Sequence, residues 1–274
     1  MLTEKRIGII GAGAMGGALC RGLVLAQAAL PTRILVSDPH TEHVENLKNT
    51  LNIKVAKNNA QVALHTDIIV LAVKPFTIPA VLEEIRESLK RDADKPFPLL
   101  ICIAAGIRTA KIESYLEDPI PVVRAMPNTP AQVLKGACAY CRGTHANDDH
   151  IAQTKAIFQS VGIGVEVPES QMDAVTALSG SGPAYIYLMI EALIDGGVRA
   201  GLPRDIASQL ASQTVLGAAQ MVIETGKHPA QLRDMVTTPA GTTIEAIASL
   251  EHSGLRAALI DAIGKAAQRS RELG

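Results

Sequence analysis

Two short stretches carry residue types that could do chemistry. The first is Gly11-Ala12-Gly13-Ala14-Met15-Gly16, a G-x-G-x-x-G that follows the β-branched run "RIGII" and opens a helical pattern. In that setting the first glycine permits a tight turn, the second lets a phosphate approach the backbone, and the third lets helix and strand pack closely. The unpaired N–H groups of the helix start then face the negative charge. Roughly twenty residues further on, "ILVSD" ends in Ser37 and Asp38, where an acidic side chain accepts hydrogen bonds from an adenosine ribose. The second stretch is "TTPAGTTIEAI", residues 237–247. Pro239 and Gly241 end whatever precedes them, and a threonine ahead of the apolar helical pattern caps the new helix. One cap accounts for one threonine and leaves the other hydroxyls of the stretch unexplained.

The elements that must hold these residues fall into two halves. From the N-terminus, "RIGII", "RILVSD", "DIIVLAVKP", "PLLICIAAG" and "IPVVRAMP" alternate with helical stretches, which predicts a parallel sheet with helices on both faces. Ligands of such sheets sit beyond the carboxyl ends of the strands. Ala72-Val73-Lys74-Pro75 and Ala104-Ala105-Gly106 lie at two such ends, and their small residues leave room for nucleotide and nicotinamide. After "GACAYC" and "GIGVEVPE" the strand signal stops, and from about Gln171 the pattern is helical to the end. The fold class is therefore α/β, with a Rossmann-type dinucleotide-binding domain over 1–167 and an all-helical domain over 168–274. In the second half "AYIYLMIEALIDGGVRAG" is too apolar a helix for water, so a second copy of the chain is expected to cover it.

Composition removes other classes. With 274 residues, 47% hydrophobic content and a formal net charge of −1, the chain can bury a core but shows no basic footprint for nucleic acid. Aromatic residues make up only 3%, too few for a base-stacking surface. The longest uncharged runs, 7–20 and 174–190, are shorter than a bilayer span, so no membrane segment is expected. Cys20, Cys102, Cys138 and Cys141 stand in apolar surroundings without a preceding secretory leader, which favours a cytoplasmic location. Cys138 and Cys141 form a C-x-x-C read as part of a strand, and His145, Asp148, Asp149 and His150 in "THANDDH" read as a loop entering a helix. No metal site is expected.

Taken together, "IGIIGAGAMGGAL", "DIIVLAVKP", "RAMPNTPA", "SGSGPAY" and above all "LRDMVTTPAGTTIEAIASLE" resemble the pyrroline-5-carboxylate reductase family over nearly the whole chain. The resemblance implies a Rossmann domain, a helical dimerisation domain giving a homodimer or higher oligomer, and hydride transfer from NADPH or NADH to the imine carbon of 1-pyrroline-5-carboxylate. The product is L-proline, at the last step of proline biosynthesis. It further implies that Thr238, Gly241, Thr242 and Thr243 bind the substrate carboxylate mainly through backbone N–H groups, that the Thr243 hydroxyl reaches the ring nitrogen, and that Asn59 contacts the ribose.

Two residues depart from the family pattern. Ala240 stands where glycine is usual, and Asp38 stands where Ser, Asn or a basic residue suits a 2′-phosphate. Asp38 is therefore expected to shift preference toward NADH by repelling the phosphate. A β-hydroxyacid dehydrogenase would need a catalytic lysine early in the second domain, and 156–226 contain none. A reductase of another cyclic imine shares the hydride chemistry, and a nucleotide-sensing regulator would not need the threonine loop.

Overall fold

The apolar runs become strands because both of their faces are covered. Ile7 and Ile9, Ile68 and Val70, and Leu99 and Ile101 enter one buried cluster, whereas Ile10, Ile69 and Leu71, and Leu100 and Cys102 enter another. Period-two alternation between two cores gives continuous apolar sequence. In chain order the elements of this part are β1 (Ile7–Ile10), α1 (Ala14–Leu25), β2 (Ile34–Ser37), α2 (Thr41–Leu51), β3 (Lys54–Val55), α3 (Asn59–His65), β4 (Ile68–Leu71), α4 (Ile78–Leu89), β5 (Leu99–Cys102), α5 (Thr109–Glu113), β6 (Val122–Met126), β7 (Gly136–Arg142), α6 (Asp148–Gln159), β8 (Gly162–Glu166) and α7 (Met172–Val175). The computed structural model describes residues 2–90 and 96–273.

These strands form one sheet in the order β3-β2-β1-β4-β5-β6-β7-β8. The order reverses at β1, which pairs in parallel with β2 on one side and β4 on the other. A crevice at such a reversal is where dinucleotides bind. The sheet is not wholly parallel as the alternation predicted, since β7 runs antiparallel to β6. The linker between them holds only a 3-10 turn at Thr129–Val133, too little chain for the crossover that a parallel return requires. With α6 between them, β8 is parallel to β7 again.

A π-turn, Thr176–Gly180, follows α7, and then come α8 (Gly182–Arg199), α9 (Arg204–Thr225), α10 (Pro229–Met235), α11 (Thr242–His252) and α12 (Leu255–Leu273). By compactness the chain divides into Met1–Ser181 with Ala266–Gly274, and Gly182–Lys265. The division thus falls later than the expected boundary at 167/168, and the end of α12 belongs to the first unit. Packing explains both differences. Met172 is buried beside Ala139 and Cys141 of β7, and Ser270 Oγ donates a 2.6 Å hydrogen bond to Asp173 Oδ1.

Candidate functional site

In the first unit the phosphate-loop residues and the strand ends converge. Gly11, at φ 105°, takes a conformation that side chains disfavour, and its N–H donates to the Ser37 carbonyl at 2.8 Å. A Cβ on Gly11 would come within 2.5 Å of the Ala72 carbonyl oxygen, and one on Gly16 would collide with the Gly11 carbonyl oxygen. Gly13 differs, because a Cβ there would meet nothing within 4 Å. That open space lies at the N-cap of α1, which has no side-chain cap. Ala14, Met15 and Gly16 thus begin a helix whose first N–H groups are free for an anion, an arrangement that fits a pyrophosphate.

Around this loop Ser37 Oγ donates to Asn59 Oδ1 at 2.7 Å, and Asn59 Nδ2 donates to Glu84 Oε2 at 2.6 Å. Val73 lies against Gly11, since a Cβ there would be 3.2 Å from Val73 Cγ1. Lys74 is exposed at the start of the 3-10 turn Pro75–Thr77, while Ala104 is buried just beyond β5. Asp38 makes two backbone contacts that the sequence did not suggest. Its Oδ2 accepts the Ala12 N–H at 2.6 Å and its Oδ1 accepts the His40 N–H at 2.8 Å, so the carboxylate faces the loop backbone.

In the second unit, residues 238–241 form the turn into α11, and Thr242 and Thr243 open the helix. No threonine caps it. The N-cap is Gly241, without a side-chain bond, and Thr237 Oγ1 instead donates to the Arg233 carbonyl at 2.7 Å. A side chain on Gly241 would collide with Thr238 Oγ1, which keeps the N-cap free of one. The first N–H groups of α11, those of Thr242 and Thr243, are left open to an anion. Ala240 has φ 52°, so this position does need the left-handed region and alanine is strained there. Ala240→Gly is expected to raise stability by about 1 kcal/mol without lowering activity, as read by urea denaturation and turnover of the same preparation.

Sequence spacing gave no sign of a polar cluster beneath the sheet's end. Arg124, on β6 and buried, is an arginine in an apolar strand and must find a partner. Glu169 provides it at 3.3 Å and also accepts the Thr109 N–H and Oγ1 hydroxyl at 2.8 and 2.7 Å. Burial pushes the Glu169 carboxyl up, but the Thr109 and Arg124 bonds outweigh it and hold the group below its ordinary value of 4.5. A lowered carboxyl pKa stabilises fully above the unfolded value and ceases to as pH falls through the folded one. Glu169→Gln is therefore expected to cost about 3 kcal/mol at pH 7, and denaturation midpoints of parent and variant should converge below pH 4.5. Nearby, Asn128 Nδ2 donates to the Ser179 carbonyl at 3.0 Å and its Oδ1 accepts the Ala137 N–H at 2.8 Å. This joins "RAMPNTPA" to the π-turn of "SGSGPAY", and single-turn π segments often mark functional sites.

The remaining sequence candidates have structural roles. Cys138 and Cys141 are buried in different clusters on the two faces of β7, and burial pushes the Cys141 thiol up to about 12. Asn147 and His150 exchange hydrogen bonds of 3.0 and 3.1 Å as a capping box for α6. Among the described residues no group of three His, Cys, Asp or Glu could hold a metal.

Residues 169–273 match the family model described as pyrroline-5-carboxylate reductase dimerisation, and residues 6–94 match one described as NADP oxidoreductase, coenzyme F420-dependent. The chain is 45% identical to the pyrroline-5-carboxylate reductase of Methanosarcina acetivorans, over 100% of this chain and 99% of that one. The chain belongs to the pyrroline-5-carboxylate reductase family. Two solved structures agree: the reductase of Coxiella burnetii, at 38% identity with a TM-score of 0.92 over 98% of both chains, and that of Plasmodium falciparum with NADP bound, at 35% identity with a TM-score of 0.86 over 99% of both. The dimerisation match bears on one apolar stretch. Glu169–Arg199, which takes in a 3-10 turn, α7, the π-turn and α8, is by length and composition alone apolar enough to cross a membrane. It outruns the uncharged run 174–190 because charged residues lie near both of its ends. The dimerisation model covers it whole.

Proposed function

We infer that this chain reduces 1-pyrroline-5-carboxylate to L-proline, using NADPH or NADH, as a homo-oligomer in the cytoplasm. One observation carries the reading: a chain related along its whole length to pyrroline-5-carboxylate reductases has a helix start at Thr242-Thr243 left open by a glycine N-cap. A free carboxylate is the group such a start accepts.

On the cofactor side, the N–H groups at Ala14, Met15 and Gly16 hold the pyrophosphate, with Gly11, Ala12 and Gly13 shaping the loop. Ser37, Asp38 and Asn59 form the ribose end, and Ala72, Val73, Lys74, Pro75 and Ala104 border the path of the nicotinamide. The reduced nicotinamide supplies the hydride when bound. On the substrate side, Thr238 and Gly241 set the turn, the N–H groups of Thr242 and Thr243 hold the carboxylate, and the Thr243 hydroxyl orients the ring nitrogen. A protonated imine is already a good hydride acceptor, so positioning does most of the work and no metal is required. The family described as NADP oxidoreductase and the NADP-bound relative support acceptance of NADPH.

Oligomerisation accounts for apolar side chains left in water by the single chain, among them Tyr187 at 60% and Leu188 at 69% exposure on α8. The four free cysteines are all buried, and thiols without partners suit a reducing cytoplasm. The reading is tested by the absorbance of each reduced cofactor in the presence of purified chain. Oxidation that depends on added 1-pyrroline-5-carboxylate supports it, and folded protein inert with both cofactors rejects it.

A further inference from the structure

We propose that His40 and His43, rather than Asp38, decide whether the adenosine 2′-phosphate of NADPH is accepted. This rests on the reading of the chain as a nicotinamide-dependent reductase. An acidic residue at the end of β2 ordinarily selects NADH by bonding the ribose hydroxyls and repelling a phosphate. Here that carboxylate is committed elsewhere. Asp38 Oδ2 accepts the Ala12 N–H at 2.6 Å and Oδ1 accepts the His40 N–H at 2.8 Å, and the side chain is only 8% exposed. Asp38 is thus a positioning residue that ties the glycine loop to the turn between β2 and α2.

What this turn presents to solvent is a pair of imidazoles. The His40 and His43 ring centroids are 5.3 Å apart, and His43 Nδ1 lies 3.7 Å from Asp38 Oδ1 with its side chain 47% exposed. His43 thus lies beside the carboxylate, with the His40 ring next to it. An imidazole offers an N–H donor in either protonation state, and a phosphate monoester is an acceptor only. Two donors beside the ribose end favour the phosphorylated cofactor over one that carries a hydroxyl there.

The test compares His40→Gln, His43→Gln and the double variant with the parent chain. Calorimetric binding of 2′-phospho-ADP-ribose and of ADP-ribose is measured beside kcat/KM for NADPH and NADH. The double variant is expected to bind 2′-phospho-ADP-ribose about tenfold more weakly with ADP-ribose within twofold of the parent, and the NADPH:NADH ratio of kcat/KM should fall in step. Asp38→Asn, which disturbs the loop, is expected to weaken both ligands together. The assignment is overturned if the double variant keeps the parent's preference, if the parent shows no measurable binding of 2′-phospho-ADP-ribose, or if Asp38→Asn selectively strengthens that ligand. A parent chain that binds these ligands but never reduces the imine would count against the reductase reading alone, and the binding comparison would still decide the role of the histidines.

Discussion

Thr243→Ala is expected to lose about a hundredfold or more in turnover, equivalent to roughly 3 kcal/mol of transition-state stabilisation, while melting at the parent's temperature. The sequence left two roles open for this threonine, a helix cap or a part of the chemistry. A lost cap would cost about 1 kcal/mol of stability and spare the rate. The N-cap of α11 is Gly241 and has no side-chain bond, and among the described residues the Thr243 hydroxyl has no hydrogen-bond partner, so stability has little to lose. Turnover and melting temperature measured on one preparation separate the cases. Near-normal turnover with a lower melting temperature would return Thr243 to the role of a cap.

Gly13→Asp should separate stability from activity in the opposite way. Gly13 has φ −65° and ψ −164° at the N-cap of α1, an extended conformation that aspartate adopts freely. A Cβ there meets nothing within 4 Å, and aspartate is among the best N-cap residues. The folded chain is expected to be as stable as the parent or more so. The same carboxylate would occupy the N–H groups proposed to hold the pyrophosphate and would oppose its charge, so KM for either cofactor should rise about a hundredfold or more, on the order of 3 kcal/mol. Cofactor KM and the denaturant midpoint are the two readings. A stable variant with unchanged KM would remove the phosphate from this loop.

How much of this was legible in the sequence depended on whether the controlling interaction was local. The strands could be read because burial on both faces leaves one pattern, a continuous apolar run. The glycine loop could be read because its spacing is set by a single turn. The direction of β7 was within reach, since no helical stretch separates "IPVVRAMP" from "GACAYC". Strand β3 was missed because two residues, Lys54 and Val55, are too few to show a period.

Long-range polar pairs left no such trace. Arg124 and Glu169 are 45 residues apart, Asn128 and Ser179 are 51 apart, and neither distance reflects any repeat of the local backbone. The orientation of Asp38 was hidden for a related reason. Its type and position point to the ribose, while the carboxylate is held by backbone N–H groups that no sequence pattern displays. Ala240 shows the reverse, since a single dihedral angle tells what its departure from glycine costs. Its departure from glycine is harmless only at negative φ, and φ is 52°.

The central claim is hydride transfer to the imine carbon, and isotopic labelling tests it most directly. Purified chain is incubated with 1-pyrroline-5-carboxylate and with NADPH or NADH carrying deuterium at nicotinamide C4 on the transferred face, and the product is analysed by mass spectrometry. The account predicts L-proline with one deuterium on Cδ, the ring carbon beside nitrogen and away from the carboxylate. Proline without that label, or folded protein that makes no proline from either cofactor, would contradict it.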